Sequence, residues 1–218
     1  SVVLARLVPE PWSRVSRSAT IDDPPTDEYP TMPAITFHLP DWIDEVVDRE
    51  RPYRTDEERI GLAIELARQN VLRDTGGPFG AAVFESDSGR LVAAGVNVVT
   101  PQEISVLHAE ITALIAAHKA RRSHSLRAPG LPDHDLATSC APCAMCLGAT
   151  LWSGVRRLLI AASRDDAMDL GFDEGPVFPQ SYEYLEERGV RIVPDLRRED
   201  ARAVFELYRA RGGRIYNP

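Results

Sequence analysis

Three cysteines, the only ones among 218 residues, fall within eight positions in the stretch "SCAPCAMC", residues 139–146. This cluster constrains the fold more than any other feature, because the thiols must end up together whatever surrounds them. A metal, a disulfide or a redox centre could each use it. A structural disulfide fits poorly in a chain expected in the cytoplasm, and Cys-x-x-Cys redox centres follow a thioredoxin-type strand. Zinc fits better, since thiolates are among its preferred ligands and the i, i+3 spacing puts Cys143 and Cys146 on one helix face. Pro142 suits the first position of that helix. Both thiolates would then lie in the first turn, where the dipole and free amides favour negative charge. Cys140 precedes the helix and needs a different backbone course to join them.

Two thiolates need further ligands. The tripeptide "HAE", residues 108–110, opens the first helix expected after a hairpin. His108 completes a Cys2His set and leaves the fourth tetrahedral position open to water, as a catalytic zinc requires. Glu110 is placed to touch that water rather than the metal. Two thiolates make zinc a milder Lewis acid than three imidazoles do, so a carboxylate that takes the water's proton is chemically useful.

The surrounding pattern alternates strands and helices. Residues 1–40, with "DDPPTDEYPTMPAITFHLPDW" running to Trp42, are rich in Pro and acid and read as an extended arm; the folded domain is expected over 41–218. A short helix is expected near Asp41, with Trp42, Val46 and Val47 inward. A second starts at the capping box Thr55-Asp56-Glu57-Glu58, with Ile60, Ile64, Val71 and Leu72 at helical spacing. Two strands follow, Ala81–Phe84 and Leu91–Val99, then a helix over 107–120, a strand near Leu136–Thr138 and the cysteine helix to Ser153. "RRLLIAA" reads as a strand, "SRDDAMDLG" as a short helix capped by Ser163, "YEYLEERG" as a helix, "VRIVP" as a strand and 199–211 as a last helix. The fold class is therefore α/β, with a mixed sheet covered by helices on both faces.

His-x-Glu followed by Pro-Cys-x-x-Cys is the signature of zinc-dependent nucleobase and nucleoside deaminases. "PFGAAV", "HAEITAL" and "TSCAPCAMCLGA" resemble the cytidine-deaminase-like superfamily, in its branch of guanine and tRNA adenosine deaminases. "DDAMDLGFDE", residues 165–174, resembles the bacterial guanine deaminases in particular. The resemblance implies a three-layer α/β/α sandwich around about five strands, a homodimer, and hydrolytic loss of ammonia from an aminated heterocycle. It also implies that Asn97 hydrogen-bonds the substrate base, that Asp166 meets the purine's amidine edge, and that Tyr216 on the C-terminal tail closes over the site. The chain departs from the family at Ala141, where Glu usually precedes the Pro-Cys pair, and at Ser105-Val106-Leu107 before the histidine. Phe79 suits either the pocket wall or the core, and Trp152 reads as core. His118 reads as a helix-end residue, while His38, His124 and His134 fall in loops.

Guanine to xanthine is the expected reaction, with cytosine, a triazine or guanosine as alternative substrates. Editing of adenosine in tRNA calls for a basic surface, which 33 acidic against 25 basic residues and a formal charge of −8 do not offer. A non-catalytic zinc-stabilised module is the remaining alternative. No nucleic-acid or membrane partner is expected, since no apolar run approaches the roughly 18–20 residues of a membrane span.

Overall fold

The computed structural model describes residues 36–217. The expected arm, residues 1–40, lies outside them except for 36–40, and the compact unit begins at Phe37. Helix α1 (Ile43–Val46) is a single turn that buries Trp42, Ile43 and Val47, while Val46 is only half-buried. Helix α2 (Asp56–Leu72) starts where the sequence indicates: the Thr55 hydroxyl accepts from the Glu58 amide at 3.2 Å and the Glu58 carboxylate accepts from the Thr55 amide at 3.1 Å. Such a cap contributes about 1 kcal/mol to the helix start. Ile60, Ile64 and Val71 face the core, whereas Leu72 is exposed at the last turn.

Strands β1 (Gly80–Glu85) and β2 (Leu91–Val96) form an antiparallel hairpin. The second ends three residues earlier than its apolar run suggests, because Val99 opens the one-turn helix α3 (Val99–Gln102). Then come α4 (Ala109–Arg121), β3 (His134–Cys140), α5 (Ala144–Ser153), β4 (Arg157–Ala162), α6 (Arg164–Leu170), α7 (Pro179–Glu187), β5 (Arg191–Val193) and α8 (Arg198–Ala210). The five strands lie in the order β2-β1-β3-β4-β5; β1 runs antiparallel to both neighbours and β3, β4 and β5 are mutually parallel.

Alternation along the strands divides the core in two. Ala82 and Phe84 of β1, with Leu159 of β4, face Ile60 and Leu66 of α2 and Phe205 of α8. Ala81 and Val83, with Leu136 and Leu158, face Leu114 of α4, Leu147 of α5 and Leu185 of α7. The three-layer α/β/α sandwich is therefore present. At one end of the sheet the fully buried Asp135 joins it to α2: the carboxylate accepts from Arg59, from Arg157 at 3.0 Å and from the Ser86 hydroxyl at 2.6 Å. At the other end the β3 and β4 chains leave the sheet and the N-termini of α4 and α5 converge. A crevice beyond the carboxyl ends of parallel strands is where open α/β sheets place their ligands.

Candidate active site

Both halves of the motif sit at helix starts. His108 is the N-cap of α4 and Cys143 the N-cap of α5, each in extended backbone (φ −68°, ψ 161° and φ −65°, ψ 173°). Their carbonyls accept the first helical bonds, from Thr112 at 3.0 Å and Leu147 at 2.8 Å. This corrects the expected start of each helix: α4 begins after His108, and Pro142 precedes the cap rather than taking the first helical position. Cys146 still lies in the first turn of α5, so two helix N-termini face one another across the thiols. Helix α4 can lie this close to β2 because Gly95 has no side chain; a Cβ there would overlap the Ala113 amide nitrogen.

The Nδ1 of His108 lies 3.5 Å from the Sγ of Cys143, and the donor atoms of His108, Cys143 and Cys146 all fall within 4.8 Å of one another. Zinc bonds of about 2.3 Å to sulfur and 2.0–2.1 Å to nitrogen, at tetrahedral angles, put an S···N edge at about 3.6 Å. The donor set therefore fits zinc in both chemistry and spacing. Cys140 stays apart, its thiol directed at the Ser163 carbonyl at 3.4 Å.

Charge around these donors is one-sided. Cys143 is held down at about 4 by the hydrogen bond from the Cys146 thiol and by His108, and that same bond, with burial, pushes Cys146 up. Burial, reinforced by the negative Cys143, lifts Glu110 to about 7. His108 is raised: its bond to Cys143 and the nearby Glu110 outweigh burial, which works the other way. A second carboxylate, Glu174, faces the same cavity and is pushed up to about 8 by burial and by the charges of Cys143 and Glu110. Acidic groups and thiolates packed this closely call for a cation.

The cavity has a volume of about 450 Å³, and its walls include His108, Glu110 and Cys143, with Asn97, Phe79 and Tyr216 opposite. Asn97 is fully buried just beyond β2; its Oδ1 accepts from the Val99 amide at 3.3 Å, and its Nδ2 has no hydrogen-bond partner among the described residues. Tyr216 packs edge-on against Phe172, with centroids 5.0 Å apart, and its buried hydroxyl likewise has no partner among the described residues. Phe79 lines the cavity and also packs against Phe172 and Phe205, with centroids at 5.0 and 5.7 Å, so one ring serves wall and core.

Asp166 corrects the expectation attached to it. Its carboxylate caps α6, accepting from the Ser163 amide and hydroxyl at 2.8 Å each, and also binds Arg198 of α8. It does not line the cavity. Burial opposes its ionisation, but Arg198 and the cap hold it at about 2. From the same stretch it is Asp173 and the buried Glu174 that line the cavity, and the Glu174 carbonyl accepts from the Ala144 amide at 3.0 Å. The sequence reading missed Glu174, and with it Asn217, which donates to the Gly171 carbonyl at 2.8 Å and accepts from the Asp173 amide at 2.9 Å. Trp152 is not core but 80% exposed, and His134 is not in a loop but fully buried at the start of β3.

A carboxylate set beside three metal donors without joining them is of use to a hydrolase that must move a proton, and the protein is of the zinc-dependent deaminase class. The chain belongs to the cytidine and deoxycytidylate deaminase zinc-binding family, whose zinc-binding region matches residues 53–162, and zinc is its cofactor. It is 38% identical to the guanine deaminase of Bacillus subtilis over 128 residues, 59% of this chain and 78% of that protein. The crystal structure of guanine deaminase from Nitrosomonas europaea is 45% identical, covering 81% of this chain and 97% of its own, with a TM-score of 0.78. A variant of the protein designated NE0047, solved with 8-azaguanine, gives the same identity and TM-score over 81% of this chain and 96% of its own. No helix among the described residues is long and apolar enough to cross a membrane.

Proposed function

We propose that the protein hydrolyses the exocyclic amine of a free purine base, guanine and water giving xanthine and ammonia. The observation that carries this reading is the pairing of the three-donor site with two buried carboxylates, Glu110 and Glu174, in one cavity. It is supported by the guanine deaminases at 38% and 45% identity. Bound by His108, Cys143 and Cys146, zinc supplies a Lewis acid that makes water acidic enough to give up a proton near neutral pH. Glu110 would accept a proton from the water as the water oxygen bonds to the amine-bearing carbon. It would pass that proton to the adjacent ring nitrogen before the C–N bond breaks and ammonia leaves. Burial lifts its carboxyl to about 7, which suits both accepting and releasing a proton. Glu174, which burial and the neighbouring charges push up to about 8, faces the same cavity and would supply a proton to the departing amine. The free Nδ2 of Asn97 donates to an acceptor on the base, and Tyr216 covers its face.

The protein acts as a homodimer in this reading. The support is an outward apolar face on α5, where the exposed Trp152 lies near the half-buried Leu151 and Gly148, with Phe178 at 59% exposure ahead of α7. A reducing compartment, and so the cytoplasm, suits three unpaired cysteines of which two must stay thiolate ligands. The test is ammonia release from a panel of bases, nucleosides and triazines by the zinc-loaded protein. Guanine is expected to turn over fastest; faster release from a nucleoside or a triazine contradicts the assignment.

A further inference from the structure

Beyond Gly80 and Val96 the β1–β2 pairing closes with one further bond, from the Asn97 amide to the Phe79 carbonyl at 3.1 Å, and both of these residues line the cavity. Past that bond a side chain ties the two segments together. Asn70 of α2, fully buried, donates both amide hydrogens, to the Gly77 carbonyl and to the Asn97 carbonyl, each at 2.8 Å. Its Oδ1 accepts from the Thr75 hydroxyl at 2.8 Å, which fixes the amide's orientation. The Thr75 hydroxyl in turn accepts from the indole N–H of Trp42 at 3.0 Å. The packing leaves no slack: a Cβ at Gly76, whose φ is +156°, would overlap the Asn97 carbonyl oxygen.

We propose that Asn70 is a positioning residue for Asn97, locked in place by Thr75 and by Trp42, which lies ahead of the family-matched region 53–162, so that contacts behind the cavity wall set how it grips its base. The inference rests on the proposed function, in which Asn97 reads the base. Neither Asn70, Thr75 nor Trp42 lines the cavity, and none touches the metal donors. Their effect must therefore pass through the Asn97 main chain. If that carbonyl loses its donor, the side-chain Nδ2 moves relative to the bound base while His108, Cys143, Cys146 and Glu110 stay where α4 and α5 hold them. Substrate affinity should suffer and the chemical step should not.

The test compares KM, kcat and zinc content in the full chain, using the base that the wild type deaminates fastest. Thr75→Val removes the hydroxyl at constant shape and is expected to raise KM about tenfold, as the loss of a uniform binding contact does. Its kcat should stay within about twofold and its zinc should remain. Thr75→Ser restores the hydroxyl and should restore KM. Trp42→Phe should give a smaller rise, and Asn70→Asp, which sets an acceptor against two carbonyls, a larger one. Should Asn70→Asp fail to fold, the contrast between Val and Ser at Thr75 carries the test. A lowered melting temperature with KM unchanged in both Thr75→Val and Trp42→Phe overturns the inference alone. Turnover of no base by the wild type overturns the functional reading with it.

Discussion

Arg198 holds Asp166 at both carboxylate oxygens, its Nε 2.8 Å from one and its Nη2 3.1 Å from the other. The contact fastens α8 to α6, and the loop that leaves α6 delivers Glu174 to the cavity. Asp166 thus ties two helices of the scaffold together and does not line the cavity. Asp166→Ala removes one half of the α6 capping box and is expected to lower the melting temperature by roughly 2–4 °C, the shift that about 1 kcal/mol produces in a domain of this size. Zinc content and KM should change little. A rise in KM with the melting temperature unchanged would return Asp166 to the substrate.

Glu110→Gln should leave zinc bound, because the carboxylate is not among the donors. Its kcat should fall by about 10²–10⁴-fold, the usual contribution of a positioned acid–base group. Metal analysis and steady-state rates on the same sample settle the point, and a Gln variant with most of its activity removes Glu110 from proton transfer.

Glu174→Gln keeps the size and neutrality of the protonated acid but cannot pass a proton on. A drop in kcat of about 100-fold, the lower end of what a positioned acid contributes, is expected, with KM for the base nearly constant. Wild-type kcat in this variant would confine Glu174 to shaping the cavity.

The pH dependence of folding should carry the signature of His134. Its Nδ1 lies 3.0 Å from the Leu126 carbonyl and can only donate there, so Nε2 is the acceptor for Arg121 Nε at 3.1 Å and the ring is neutral. Burial, with help from Arg121, pushes its pKa below the ordinary value, against the opposing pull of the Leu126 carbonyl, Glu85 and Asp133. A group with a depressed folded pKa that is neutral in the fold stabilises fully above its unfolded value, near 6.5, and less as pH falls through the folded one. Chemical denaturation should show stability falling from pH 7 to pH 5, and His134→Gln should flatten that slope. An unchanged slope assigns the acid sensitivity elsewhere.

What the sequence disclosed were features whose chemistry is local. Thr55 and Ser163 announce their helices because a cap needs only residues three apart, and the metal donors lie in two short motifs. The same rule contained the correction to Asp166: Ser163-x-x-Asp166 is itself a capping pattern, which commits that carboxylate to the start of α6 and leaves the acids beyond the Gly171 cap to face the cavity. What stayed hidden depends on contacts distant in sequence. Nothing near His134 indicates that Leu126 and Arg121 will satisfy it, and Asn70 reads as one more polar position on α2 until the chain brings Asn97 to it. Trp152 misled because its helix is apolar on both faces, one packed in the core and one turned outward.

The central claim is that His108, Cys143 and Cys146 hold a zinc ion on which deamination depends. Stripping the metal with a chelator, measuring ammonia release from guanine and then restoring one equivalent of zinc tests it most directly. Activity should vanish with the metal and return with it, and neither should occur in Cys143→Ala. Undiminished turnover by metal-free protein would contradict the account.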